Sequence, residues 1–211
     1  MSKLFNNKYR IASARLPHWD YASDGSYFIT ICTHNRTHFF GECTDDKMTL
    51  STVGAVVQGF WFEIPKHFPF VQLGEFQVMP NHIHGILNLH KSEIAFTELD
   101  SGNSGSEIVH VETLQCNVST SNDSDNLTSE FPNEKSDYFK KISPKSGSIS
   151  TIIRSYKAIC SKHIHQAFPD LKFEWQTRFW DNIIRDAASF EVICDYIIDN
   201  PKKWEEDKFY S

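Results

Sequence analysis

The sequence predicts an α+β fold of the ferredoxin-like kind. In it a βαββαβ frame forms an antiparallel sheet with helices on one face, extended by a C-terminal helix and interrupted by a long disordered insertion. Three observations predict this. Apolar, β-branched and aromatic strand-like runs alternate with apolar stripes at helical spacing in the order strand, helix, strand, strand, helix, strand, helix. Turn residues fall between these segments. Residues 91–146, rich in Ser, Asn and Asp, carry little apolar periodicity and split the frame. One domain spanning residues 1–211 with that block as an insertion fits the length.

Tyr27 to Thr33, YFITICT, is β-branched and aromatic, so it reads as a central strand. Asn35-Arg36 and Asp45-Asp46 mark turns on either side of a segment restarting at Phe39-Phe40. Ser51 or Thr52 caps a helix whose stripe is Val53, Val56, Val57, Phe60, Trp61 and Ile64, ending near Pro65. Phe70 to Met79 and Ile83 to Leu89 read as two strands joined through Pro80-Asn81. After the insertion, Ile149, Ile152, Ile153, Tyr156, Ile159, Cys160 and Ile164 form a helical stripe. Phe173 to Phe179 reads as the next strand. Asp186 caps a last helix that ends at Asn200, because the residue before Pro201 resists helical backbone.

The chain's formal charge of −6 argues at first against a nucleic-acid partner. The acidity is local, however. From Lys91 to Asp137 ten acidic residues face two lysines, a net of −8, which leaves +2 for the rest. Within the insertion only Glu107 to Leu114 has any strand character. The start of the chain is basic (Lys3, Lys8, Arg10, Arg15) with Tyr9 and Trp19 interleaved, either an arm for phosphates or a solvated lead-in. No apolar leader opens the sequence and no apolar run is long enough to span a membrane. The five scattered cysteines lack C-x-x-C spacing and read as reduced thiols. A cytoplasmic location is therefore expected.

The segment FQVMPNHIHGILNL holds the strongest chemical signal. His82 and His84 are two apart in a strand, so their imidazoles share a face while Ile83 enters the other. Such a pair is either half of a divalent-metal site or an ordinary exposed pair. On the last helix Tyr196 and Asn200 are four apart and share a face; the plain alternative is an amphipathic tyrosine and a C-terminal cap. Tyr156 is a rival nucleophile, although its stripe position suggests core. Trp175, Phe179 and Trp180 are candidates for base stacking or for packing. Arg154, Lys157, Lys162, Arg178, Arg185, Lys202 and Lys203 are candidates to track a DNA backbone. His34, His38, His163 and His165 are expected not to bind metal.

MPNHIHGIL, WQTRFWDNIIRD and YIIDNPKKW, in that order, resemble the signature of HUH-type single-strand tyrosine transposases, and among them the REP-associated, insertion-sequence-200-like group. The resemblance runs from Tyr27 to Trp204. It implies a metal-dependent enzyme that cuts and rejoins single-stranded or hairpin DNA through a 5′-phosphotyrosine link. Tyr196 would be the nucleophile, and His82, His84 and Asn200 would be ligands of Mg²⁺ or Mn²⁺. A homodimer is compatible with it. The acidic insertion departs from the compact family pattern. Two other outcomes stay open: a non-cleaving relative that holds hairpin DNA or RNA, and a metal-dependent hydrolase that uses water.

Overall fold

The computed structural model describes residues 15, 16, 18–91 and 144–210. Most of the expected insertion at residues 91–146, including the Glu107–Leu114 segment and Cys116, and the basic residues Lys3, Lys8 and Arg10 lie outside the described residues.

The first strand, β1 (Gly25–Cys32), is followed by a hairpin of β2 (Gly41–Thr44) and β3 (Lys47–Leu50). Next come α1 (Thr52–Phe62), the short α2 (Ile64–His67), β4 (Val71–Met79) and β5 (His82–Leu89). From residue 144 onward follow α3 (Ile149–Ala167), β6 (Trp180–Ile184), α4 (Ala187–Asp199) and a 3₁₀ segment, Asn200–Glu206. The main sheet has the order β4-β5-β1-β6, and all three of its pairings are antiparallel. This is the ferredoxin-like arrangement expected of a βαββαβ frame.

Local chemistry sets the elements. The Ser51 side chain accepts from the Gly54 amide and caps α1; Ser148 does the same for α3 through Thr151, and Asp186 for α4 through Ser189. Asp45 and Asp46 turn β2 into β3 with φ of 49° and 60°, a conformation that short polar side chains tolerate.

Side-chain alternation divides the sheet into two faces. Tyr27, Ile29 and Ile31 of β1, Ile83 and Leu87 of β5, and Ile183 of β6 pack in one core with Val57 and Trp61 of α1 and Ile152, Ile153, Tyr156 and Cys160 of α3. The other face carries a smaller cluster of Ile86, Ile184 and Ile197, joined by Phe28, Phe190, Ile193 and Cys194. Thus α1 and α3 share one face and the added helix α4 covers the other. Tyr156 belongs to the first core: it is buried and its hydroxyl donates to the Val57 carbonyl at 3.0 Å, tying α3 to α1. Its position excludes it as an accessible nucleophile.

The expected strand Phe173–Phe179 is a correction. Only Trp175 there makes a bridge, to Thr33, and the edge strand is Trp180–Ile184. Phe173 and Trp175 are instead spent on an aromatic cluster with Phe39 and Phe40, their rings 5.1 to 6.1 Å apart. Their alternation mimics a strand because it feeds that cluster. Arg15 also has a structural post: it pairs with Asp181 at 2.8 Å and donates to Ser150 Oγ at 2.9 Å.

Gly85 of β5, next to His84, faces the α1 layer. A Cβ there would overlap the Trp61 ring, which stacks on Phe76 at 4.7 Å. Gly85→Ala should therefore cost about 1–3 kcal/mol through overpacking, read from urea denaturation. Wild-type stability in that variant would mean the Trp61 pocket yields freely.

Candidate functional site

The turn Pro80-Asn81 delivers β5 so that its first residue, His82, pairs with Met79 on one side and Cys32 on the other. His84 follows two residues on, beside Thr30. Both imidazoles project from the α4 face, as the spacing predicts, but they are not an exposed pair: each is fully buried. Their Nε2 atoms lie 3.0 Å apart.

The hydrogen-bond network fixes part of their chemistry. Asn81 Nδ2 donates to the Phe209 carbonyl at 2.9 Å, which orients the Asn81 amide. Its Oδ1, 2.8 Å from His82 Nδ1, must then accept, so His82 Nδ1 carries the proton and Nε2 keeps its lone pair. His84 Nδ1 lies 2.8 Å from Thr30 Oγ1. A proton on His84 Nε2, donated to His82, satisfies the 3.0 Å approach. With Thr30 accepting from His84 Nδ1 instead, two lone pairs would converge on one point.

From α4, Tyr196 brings its hydroxyl to 3.2 Å from His84 Nε2 and donates to Asp207 Oδ2 at 3.1 Å. Phe28 packs against both His84 and Tyr196, stacked on the first at 5.2 Å and edge-on to the second at 6.0 Å. Asn200 Nδ2 donates to the same Asp207 oxygen at 2.9 Å, while its buried Oδ1 has no hydrogen-bond partner among the described residues. Asp207 Oδ1 accepts from the Phe209 amide at 2.6 Å, and the Phe209 ring lies 4.7 Å from that of His82. An opening of about 270 Å³ beside Tyr196 is lined by Asn200, Lys203, Glu206, Asp207 and Lys208.

His82, His84 and Asp207 each offer an atom within 4.8 Å of the others and could hold a metal ion. Asn200, whose Nδ2 touches Asp207, has its Oδ1 buried without a hydrogen-bond partner among the described residues and offers a second oxygen donor beside this cluster. The donor set of two neutral imidazoles, a carboxylate and an amide oxygen fits a divalent cation. Asp207 was not legible in the sequence, where it closes a Glu-Glu-Asp run that reads as solvated charge. Its only signal is the apolar Trp204 and Phe209 on either side, both buried.

Electrostatics follow from burial. Desolvation, with Lys208 and Arg36 adding to it, brings His82 down to about 3; desolvation and then His82 hold His84 well below the usual histidine range. Burial, and next the Asp207 carboxylate, raise the Tyr196 phenol far above its usual value. The sign of the pH effect is clear. Below about 6.5 the unfolded histidines bind protons that the folded ones refuse, so stability is lost as pH falls from there toward 3. Lowering the metal-free protein from pH 7.5 to 5.5 should cost about 2–3 kcal/mol from this pair. Urea denaturation at both values, with His84→Gln expected to show about half the loss, checks it.

The expected DNA-contacting residues scatter. Arg154 and Lys162 are exposed on α3, on the sheet face opposite the histidines. Lys157 is half-buried and donates to the Gln176 carbonyl at 2.6 Å. Arg178 is exposed in an open groove of about 600 Å³ with His34, Asn35, Arg36, Gln176 and Thr177. Arg185 is exposed between β6 and α4. Among the described residues no helix is long and apolar enough to cross a membrane.

Fold and site together define a class: a ferredoxin-like α+β domain with a buried histidine pair, a tyrosine and a carboxylate converging under the C-terminal helix. No family model matches the chain. It is 31% identical over 198 residues to an uncharacterized protein of Haemophilus influenzae, which covers 94% of this chain and 92% of that one, and the chain belongs to the same family as that protein. Among solved structures it is similar to a REP-associated tyrosine transposase bound to a REP hairpin, with TM-score 0.46 and 18% identity over 94% of this chain and 77% of that one. It is also similar to a candidate transposase from Deinococcus radiodurans, with TM-score 0.38 and 10% identity over 92% and 98%. At TM-scores below 0.5 neither likeness bears on what this chain does.

Proposed function

We propose that the chain is a metal-dependent transposase that cuts and rejoins single-stranded or hairpin DNA through a covalent tyrosine intermediate, as the motif resemblance implies. The observation that carries this is the approach of the Tyr196 hydroxyl to 3.2 Å from His84 Nε2, with His82 Nε2 a further 3.0 Å away. A tyrosine placed at a metal-competent histidine pair suits nucleophilic attack on a phosphate; a water-using hydrolase has no need of it.

In the reaction Tyr196 Oη attacks phosphorus, the bond to the 3′-oxygen breaks, and a 5′-phosphotyrosine link forms. The phenolic proton passes to water in the opening beside Tyr196, while Asp207 Oδ2 orients the hydroxyl by accepting its hydrogen bond. The freed 3′-oxygen takes a proton from water. A 3′-hydroxyl attacking the link reverses the step and rejoins the strand. His82, His84, Asp207 and Asn200 would hold the cation, Mg²⁺ or Mn²⁺, which supplies Lewis-acid polarisation of the phosphate when bound. Asn81 and Thr30 hold the imidazoles in place. Lys203 and Lys208 line the opening by which a phosphate would approach. Arg178 and Arg185 flank β6, whereas Arg154, Lys157 and Lys162 would meet DNA lying against the helical layer. Assembly as a homodimer and a cytoplasmic location belong to the same reading, as does a single domain carrying residues 91–146 as an insertion.

The test is covalent trapping. Labelled hairpin DNA with single-stranded flanks is incubated with the protein and Mn²⁺ or Mg²⁺, then run on a denaturing gel. A metal-dependent adduct is expected. Binding without an adduct under any metal would overturn the enzyme in favour of a non-cleaving hairpin-binding protein.

A further inference from the structure

Trp180 stands out once the tyrosine site is set aside. It is 58% exposed at the start of the edge strand β6, and its indole has no ring or hydrogen-bond partner among the described residues. Register places it in one row across the sheet: Gln77 opposite His84, His84 opposite Thr30, Thr30 opposite Trp180. In antiparallel pairs directly opposed side chains share a face. Trp180 therefore sits on the same face as His84, two strand spacings or about 10 Å away. Thr30, small and buried, lies between them and binds His84 Nδ1 at 2.8 Å. Asn182, next along β6 on this face, is exposed and opposite Phe28, which packs against Tyr196.

An indole left bare costs hydration free energy, and the other aromatics near it are spent on packing: Trp175 and Phe173 in the cluster with Phe40, and Phe179 under the Arg15 guanidinium. A flat apolar face of that size, in rigid register with a phosphate-reacting centre, suits a nucleobase, which offers a π-face irrespective of sequence.

We propose that Trp180 is the stacking platform for a base of the substrate strand beside the phosphate that Tyr196 attacks. This rests on the transposase reading. The site takes an unpaired base, since a base still in a duplex has no free face to offer.

The test uses the full chain and flanked hairpin oligonucleotides carrying 2-aminopurine at successive single-stranded positions. In wild type, one or two positions should be quenched on binding. Trp180→Ala should abolish that quenching and weaken binding about 10-fold or more, whereas Trp180→Phe should keep most of both. An abasic nucleotide at the quenched position should weaken wild type as much as Trp180→Ala does, and should add nothing to Trp180→Ala. Additive losses, or unchanged quenching in a Trp180→Ala protein with wild-type circular dichroism, would overturn the platform. So would a change of oligomeric state in that variant, which would make Trp180 a contact between copies. Trp180-dependent quenching without any adduct would retain the platform and overturn the tyrosine chemistry. A normal adduct with no Trp180 dependence would do the reverse.

Discussion

Tyr196→Phe is expected to abolish the covalent protein–DNA adduct, lowering cleavage by about 10⁴-fold or more, while hairpin binding stays within roughly threefold of wild type. The substitution removes one oxygen. The phenylalanine ring still fits edge-on against Phe28, 6.0 Å away, and Tyr196 is more than one-third exposed, so little packing is lost. Two hydrogen-bond neighbours are lost, at Asp207 and His84. Asp207 Oδ2 keeps Asn200 Nδ2, which limits the cost to stability to about 1 kcal/mol. The readout is the trapping gel together with fluorescence anisotropy on the same oligonucleotide. Residual cleavage within tenfold of wild type, with no adduct, would make water the nucleophile and Tyr196 a bystander. The phenol's raised proton affinity sharpens the expectation. Burial and the facing carboxylate both disfavour the phenolate, so adduct formation without a divalent cation should be negligible.

The fold was legible wherever one local signal decided a segment. The His82–Leu89 strand, the stripe of α1 and the Asp186 cap each needed only spacing and turn chemistry. The segment Phe173–Phe179 misled because its alternation serves an aromatic cluster rather than a ladder, and nothing local distinguishes the two. Spacing, two in a strand and four in a helix, placed His82 with His84 and Tyr196 with Asn200 on one face each but left both pairs an ordinary reading; the motif resemblance is what singled out the four. That the two faces meet follows from α4 crossing the sheet, which spacing cannot encode. Asp207 and Asn81 were invisible for the same reason. Each acts through a contact spanning more than a hundred residues or through a turn of the tail: Asn81 binds Phe209, and Asp207 reaches back to Tyr196.

The second large effect concerns the metal. His82→Ala should weaken Mn²⁺ binding by more than about 100-fold, beyond the range of an outer-shell loss, because it removes one of only two nitrogen donors. Asn81→Ala should weaken it by about 10–100-fold without touching a donor. The effect runs through the proton on His82. Asn81 Oδ1 holds His82 Nδ1–H at 2.8 Å and so keeps the Nε2 lone pair aimed at His84. Without that acceptor the imidazole is free to carry its proton on Nε2, 3.0 Å from His84, where it blocks the shared position. Asp207→Asn separates carboxylate from geometry: if Asp207 is a ligand, affinity falls about tenfold or more, whereas a mere hydrogen-bond partner of Tyr196 leaves it unchanged. Titration of free Mn²⁺ by electron paramagnetic resonance reads all three without DNA, so the result is independent of cleavage. Equal affinities for wild type and His82→Ala would remove the histidine pair from metal chemistry and leave its convergence with Tyr196 a packing arrangement.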